Sequence, residues 1–358
     1  MSRFFSSRYT ALTPYTPGEQ PQGRKYIKLN TNESPFPPSP GVLKAVTEEA
    51  QRLQLYSDPE SRLLREALAT HYALRPEQLL VGNGSDELLN FAFMAFCDEN
   101  CPAFFPDITY GFYPVYASLN RLPYQEIPLR EDLSFCLEDL PDQKGTVFLA
   151  NPNAPTGLAK TAEEIEQLLQ KRRDCVLVVD EAYVDFGAES VLPLIDRYDN
   201  LLVIQTFSKS RSMAGARLGF AAGCEALIGD LNTLKYSTNP YNVNRMTAAA
   251  GIAALREDAY YQANARTIME NRSYTASALC DLGFFVPESK ANFLFARSSR
   301  IDGGRLYRKL KERGILVRHF EKPRISDYVR ITIGTLDQMK ALLHEIKAIL
   351  KEEEAWNG

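Results

Sequence analysis

Leu201-Leu202-Val203-Ile204-Gln205-Thr206-Phe207-Ser208-Lys209, followed by Ala214-Gly215-Ala216-Arg217-Leu218-Gly219, decides how this chain is read. The opening apolar run has the pattern of a strand covered on both faces. It delivers a lysine to the strand's carboxyl end, with small residues and an arginine just beyond. Open α/β sheets keep their ligands at that edge. A partly desolvated lysine there serves as a carbonyl nucleophile, whereas a lone lysine elsewhere is a surface charge. Its surroundings choose between the two.

Working outward, Gln78-Leu79-Leu80-Val81, Thr146-Val147-Phe148-Leu149-Ala150 and Cys175-Val176-Leu177-Val178-Val179 repeat the same apolar pattern between helical or polar segments. Such spacing predicts an α/β fold whose central sheet is mostly parallel and lies between helices. Ser39-Pro40 starts a helix to about Leu53, and Leu64, Leu68 and Tyr72 mark a second near 60–73. Helical composition over about 244–282 precedes Asn292-Phe293-Leu294-Phe295, a helix near 303–313, Tyr328-Val329-Arg330-Ile331-Thr332-Ile333 and a last helix from about Leu336. That mixture reads as a smaller α+β domain. The 358 residues divide accordingly into a proline-rich N-terminal segment (1–40) packing on the active site and small domain, a large domain (41–265) and a small domain (266–358).

Composition excludes several function classes. Apolar residues make up 45% and charged residues 24%, with a net charge of -4, which argues against a nucleic-acid surface. Six cysteines form no C-x-x-C pair and read as reduced thiols of a cytoplasmic protein. His71, His319 and His344 lie too far apart in sequence to suggest metal catalysis. No stretch reaches the ~20 apolar residues of a membrane span.

Three more features fall at strand ends. Val81-Gly82-Asn83-Gly84-Ser85-Asp86-Glu87 opens a helix; it reads either as a capped turn or as a cradle in which backbone amides and the helix dipole hold phosphate. Asn151-Pro152-Asn153-Ala154-Pro155-Thr156-Gly157 is either a structural loop or a source of asparagine donors. In Val178-Val179-Asp180-Glu181-Ala182-Tyr183 a carboxylate follows a buried strand, which demands a partner: a backbone cap or a ligand cation. Arg330, inside an apolar strand, likewise demands an anion, because a guanidinium keeps its proton. A phosphate-cradling turn, a buried aspartate, an amine nucleophile and an arginine are together what a pyridoxal-phosphate site requires.

With these motifs the chain resembles the fold-type I pyridoxal-phosphate aminotransferases, in the histidinol-phosphate aminotransferase branch of the aspartate aminotransferase superfamily. The resemblance runs from Leu12-Thr13-Pro14-Tyr15-Thr16-Pro17-Gly18 and Asn30-Thr31-Asn32-Glu33-Ser34-Pro35 to Gly314-Ile315-Leu316-Val317-Arg318 and Val329-Arg330-Ile331-Thr332-Ile333-Gly334-Thr335. It implies that Lys209 is the Schiff-base lysine, that Asp180 pairs with the cofactor's pyridine nitrogen, and that Tyr183 bonds its phenolic oxygen. Tyr110 would stack on the ring. Gly84, Ser85, Ser208 and Arg217 would hold the phosphate, joined by Tyr56 from a partner subunit in a homodimer with shared active sites. Arg330 would take a substrate α-carboxylate, while Arg318 and Tyr15 read a substrate phosphate. The implied reaction passes an amino group between histidinol phosphate and 2-oxoglutarate, giving imidazole-acetol phosphate and glutamate, in histidine biosynthesis. Rival readings are an aromatic amino acid aminotransferase and a threonine-phosphate decarboxylase. Two positions depart from the family: Ala154 replaces an asparagine, with Asn153 as its expected substitute in cofactor binding, and Arg211 follows the lysine without an assigned role.

Overall fold

The structure, a computed structural model, describes residues 2–20 and 23–357, so positions 1, 21 and 22 of the expected N-terminal segment lie outside it. Regular strands begin with Ile27–Lys28 (β1). Seven further strands form the central sheet: Leu79–Asn83 (β2), Ala103–Pro106 (β3), Tyr124–Ile127 (β4), Thr146–Ala150 (β5), Leu177–Asp180 (β6), Leu201–Thr206 (β7) and Leu218–Gly223 (β8). Their spatial order is β2-β8-β7-β6-β5-β3-β4. Strand β8 runs antiparallel to both β2 and β7, and every other pair is parallel.

Every residue of β5, β6 and β7 is buried. Successive side chains leave a strand on opposite faces. Val147 and Leu149 therefore enter one apolar core, while Phe148 enters the core beneath the other face. Two buried faces are why these strands read as continuous apolar runs rather than as alternation.

Three strands of the central sheet escaped the sequence reading for physical reasons. Tyr124, Gln125 and Glu126 of β4 are exposed on the sheet edge and carry no apolar pattern. Strand β3 is only four residues long and ends in proline. Strand β8, Leu-Gly-Phe-Ala-Ala-Gly, reads as a small-residue linker, but its smallness has a cause. A Cβ on Gly219 would fall 2.6 Å from the Ser85 nitrogen, so only glycine lets β8 pass behind the turn at Gly84.

The later part of the chain builds a second sheet from Phe284–Phe285 (β9), Phe293–Ser298 (β10), Arg318–His319 (β12) and Tyr328–Thr332 (β13); Ile315–Leu316 (β11) pairs in parallel with β1. The order is β12-β13-β10-β9, antiparallel throughout. Leu294, Ile331, Leu306, Leu342 and Ile346 join it to the helices Gly303–Glu312 and Leu336–Asn357 in a separate core. Among the described residues no helix is long and apolar enough to cross a membrane.

Candidate active site

Register brings the chemistry together. Ala150 pairs with Asp180 across β5 and β6, and Asp180 pairs with Ile204 across β6 and β7. The loops leaving these parallel strands therefore open on one edge, where a cavity of about 160 Å³ is lined by Ser85, Asp180, Tyr183, Ser208, Lys209 and Arg217, with Tyr110 and Ala154. Tyr110, Ala154, Tyr183 and Lys209 also line a second cavity of about 610 Å³, which extends to Tyr15, Arg318 and Arg330. The two are halves of one site.

Asp180 is 5% exposed. Its carboxylate accepts from the Tyr113 hydroxyl at 3.2 Å and the Ala182 backbone N–H at 3.1 Å, and among the described residues from no cation. Burial pushes its pKa up to about 7, against the lowering effect of those bonds. A ligand cation at this point would relieve that cost.

Lys209 Nζ donates to the Thr31 carbonyl at 3.3 Å and lies 5.7 Å from the centre of the Tyr183 ring. Both contacts leave the amine facing the cavity. The Tyr183 hydroxyl accepts a hydrogen bond from Asn32 Nδ2 at 2.9 Å.

The turn before the helix Gly84–Phe96 has its own geometry. Gly84 has φ of +77°, and a Cβ there would stand 2.5 Å from Arg217 Nη2. That closeness lets the guanidinium share a helix N-terminus with Ser85 and Ser208, a cluster of donors suited to a phosphate. Asp86 holds the arm in place: it pairs with Arg217 at 3.0 Å and accepts from the Tyr110 hydroxyl at 2.7 Å.

Arg330 stands on β13 between buried Val329 and Ile331. Burial lowers its pKa, its Nε has no hydrogen-bond partner, and Nη2 donates to the Asn30 carbonyl at 3.1 Å. Across the ladder its partner is Arg318, whose guanidinium donates to the Thr16 and Pro17 carbonyls at 3.2 and 3.1 Å. The Phe320 ring lies between, 5.4 Å from the Arg318 guanidinium carbon and 5.6 Å from that of Arg330. Among the described residues neither arginine meets a carboxylate. Two guanidiniums facing one cavity without a counter-ion form a site for an anion. Tyr15 lines the same cavity, its pKa raised by burial, its ring stacked on Phe112 at 4.1 Å.

Asn153 and Tyr56 stand outside both cavities of this chain. The Asn153 Oδ1 accepts from Thr109 Oγ1 at 2.7 Å, and its Nδ2 donates to the Ile108 carbonyl and Thr156 Oγ1, each at 3.0 Å. Both Nδ2 hydrogens and one Oδ1 lone pair of the amide brace the loop, and Ala154 lines the site. Tyr56 is 80% exposed and stacks on Tyr241 at 4.6 Å, away from both cavities of its own chain.

Sequence reading missed Asp86 and Tyr113, whose roles depend on contacts across 131 and 67 positions. Arg211 also gains an explanation. Its buried guanidinium pairs with Asp258 at 2.7 Å, reaches His71 Nε2 at 3.2 Å and lies over the rings of Phe207 and Tyr261. It anchors the turn that follows Lys209. Arg211→Met is expected to lower unfolding stability by roughly 2 kcal/mol in urea denaturation, because the half-buried Asp258 loses its buried partner.

The class I and II aminotransferase family matches residues 24–346. A histidinol-phosphate aminotransferase of Brachyspira hyodysenteriae is 46% identical over 98% of this chain and 100% of its own length. A second, from Dechloromonas aromatica, is 48% identical over 98% and 99%. The crystal structure of the Sinorhizobium meliloti histidinol-phosphate aminotransferase, a complex with pyridoxal-5'-phosphate, has a TM-score of 0.88 and covers 98% of this chain and 99% of its own. At 24% identity that likeness speaks for the shared fold alone. Matched along nearly its whole length, the chain belongs to the class I and II aminotransferase family, on the fold-type I scaffold and in the branch of the histidinol-phosphate aminotransferases.

Proposed function

We propose that this protein transfers an amino group between histidinol phosphate and 2-oxoglutarate, in histidine biosynthesis, with pyridoxal phosphate as cofactor. The observation that carries the substrate reading is the Arg330–Arg318 pair, two guanidiniums with no carboxylate partner beside one cavity. The residues fit the cofactor. Asp180 is a buried carboxylate without a cation, placed to pair with a ring nitrogen, and the Gly84 turn with Ser85, Ser208 and Arg217 supplies donors for its phosphate. Tyr110 is at hand to cover the ring, and Lys209 offers the amine that anchors it. When bound, the cofactor's ring withdraws electrons from the substrate's Cα.

The chain's own groups do the rest. With the cofactor bound, Lys209 Nζ would hold it and would carry the proton that leaves the substrate's Cα across to the cofactor carbon, acting as base and then as acid. Arg330 fixes the anionic group beside Cα. In glutamate that group is a carboxylate. In histidinol phosphate it is a phosphate ester that projects further, toward Arg318 and Tyr15. Arg330→Lys replaces a planar fork by a point charge, so half-reaction rate constants with both glutamate and histidinol phosphate are expected to fall about 10–100-fold. Unchanged rates with glutamate would remove Arg330 from this role.

A homodimer fits the exposed residues Leu53, Leu55, Tyr56, Leu63, Tyr236 and Tyr241. It would carry Tyr56 toward the partner's cofactor phosphate. Six unpaired cysteines suit a cytoplasmic protein. The assay that tests the function measures glutamate formed from histidinol phosphate and 2-oxoglutarate, expected in equal amounts with the keto product. Release of carbon dioxide from threonine phosphate without a keto acid would make the protein a lyase instead.

A further inference from the structure

We propose that Asn32 is a positioning residue that turns the Tyr183 hydroxyl into a donor toward the cofactor's phenolic oxygen, replacing the help that Ala154 cannot give. The proposal rests on pyridoxal phosphate occupying the cavity lined by Asp180, Tyr183 and Lys209.

Asn32 is 1% exposed and sits at φ +56°, in the left-handed region that asparagine tolerates better than most residues. Its backbone N–H donates to Thr332 Oγ1 at 3.0 Å, and its carbonyl accepts from Asn292 Nδ2 at 3.0 Å. Thr332 Oγ1 in turn donates to Asn32 Oδ1 at 3.0 Å. This exchange sets the orientation of the amide. Reversing it would leave the hydroxyl proton of buried Thr332 without an acceptor. With Oδ1 engaged by Thr332, Nδ2 faces Tyr183 and donates to its hydroxyl at 2.9 Å.

A tyrosine hydroxyl has one proton to give. Having accepted from Asn32, it keeps that proton for the cavity. Ala154, which lines the same cavity and packs in one cluster with Phe293 and Tyr183, presents only a methyl group. Tyr183 is thus left as the donor for the ring oxygen, and its direction is set by a residue of the N-terminal segment that lines the larger cavity and is held on β13.

The test is the pH titration of the visible band of the cofactor-loaded protein, which reads the protonation of the cofactor rather than turnover. A donor on the phenolic oxygen favours the form in which that oxygen carries full negative charge, so losing the donor moves the midpoint upward. Asn32→Asp keeps the shape and the left-handed backbone but accepts where asparagine donates, drawing the Tyr183 proton away from the cavity. The midpoint is expected to rise by about one pH unit, the size set by one hydrogen bond to a charged group. Thr332→Val, uncharged, frees the amide to reverse and is expected to give a smaller rise of the same sign. In a Tyr183→Phe background both shifts should shrink by more than half, because Asn32 acts through that hydroxyl. Equal shifts with and without the hydroxyl, or no shift in either variant, would overturn the proposal. If the unaltered protein forms no visible band with pyridoxal phosphate, the cofactor reading falls and this proposal falls with it; a normal band with unmoved midpoints sinks the proposal alone.

Discussion

Lys209→Ala is expected to abolish covalent attachment of pyridoxal phosphate and to lower transamination by at least about 10⁴-fold. One amine serves as both anchor and proton carrier, and positioned acid–base catalysis alone is typically worth 10²–10⁴. Mass measurement after borohydride reduction reads the first effect without relying on activity. The unaltered protein should gain one cofactor mass, and the variant none. The fold should survive, because among the described residues Lys209 makes one hydrogen bond, to the Thr31 carbonyl at 3.3 Å. A variant that still traps the cofactor would move the nucleophile to another lysine.

Asp180→Asn is expected to have the next largest effect, about 10²–10³-fold in kcat/KM, through loss of the charge facing the ring nitrogen. The neutral amide retains partners in the Ala182 N–H and the Tyr113 hydroxyl, so the site stays formed. The same substitution has a signature in the cofactor-free protein. Burial raises the Asp180 pKa from 3.8 to about 7, so the native state binds a proton more tightly than the unfolded chain. Stability then falls as pH rises from about 4 to about 7, at roughly 1.4 kcal/mol per pH unit for one such group. Glu181, also buried and raised to about 7, adds to the trend. Urea midpoints between pH 4 and 7 should fall less steeply in Asp180→Asn, and the wild-type slope should lessen once a cofactor cation faces the carboxylate.

The elements that carry the chemistry were legible because burial on two faces leaves a plain mark. Strands β5, β6 and β7 could only be apolar runs, and the charged residues at their ends, Asp180 and Lys209, stood out against them. Arg330 was legible for the same reason, as a charge inside an apolar strand. What lay beyond reach were interactions that no spacing encodes. The Asn32 amide meets Tyr183 across 151 positions, and Arg211, in a turn, finds its partners on two distant helices. The direction of the Asn153 side chain depends on where Ile108, Thr109 and Thr156 stand, so its closeness in sequence to position 154 was misleading. Tyr56 reads as a site residue only when a second copy is considered, since its own chain leaves it exposed.

The most direct test of amino transfer to and from histidinol phosphate is a single half-reaction. Cofactor-loaded protein is mixed with histidinol phosphate alone, and the change of its visible band is followed in parallel with phenylalanine and threonine phosphate. The band should convert fastest and at the lowest concentration with histidinol phosphate, and 2-oxoglutarate should restore it. Faster conversion by phenylalanine would assign the site to aromatic amino acids, and carbon dioxide release from threonine phosphate would contradict amino transfer altogether.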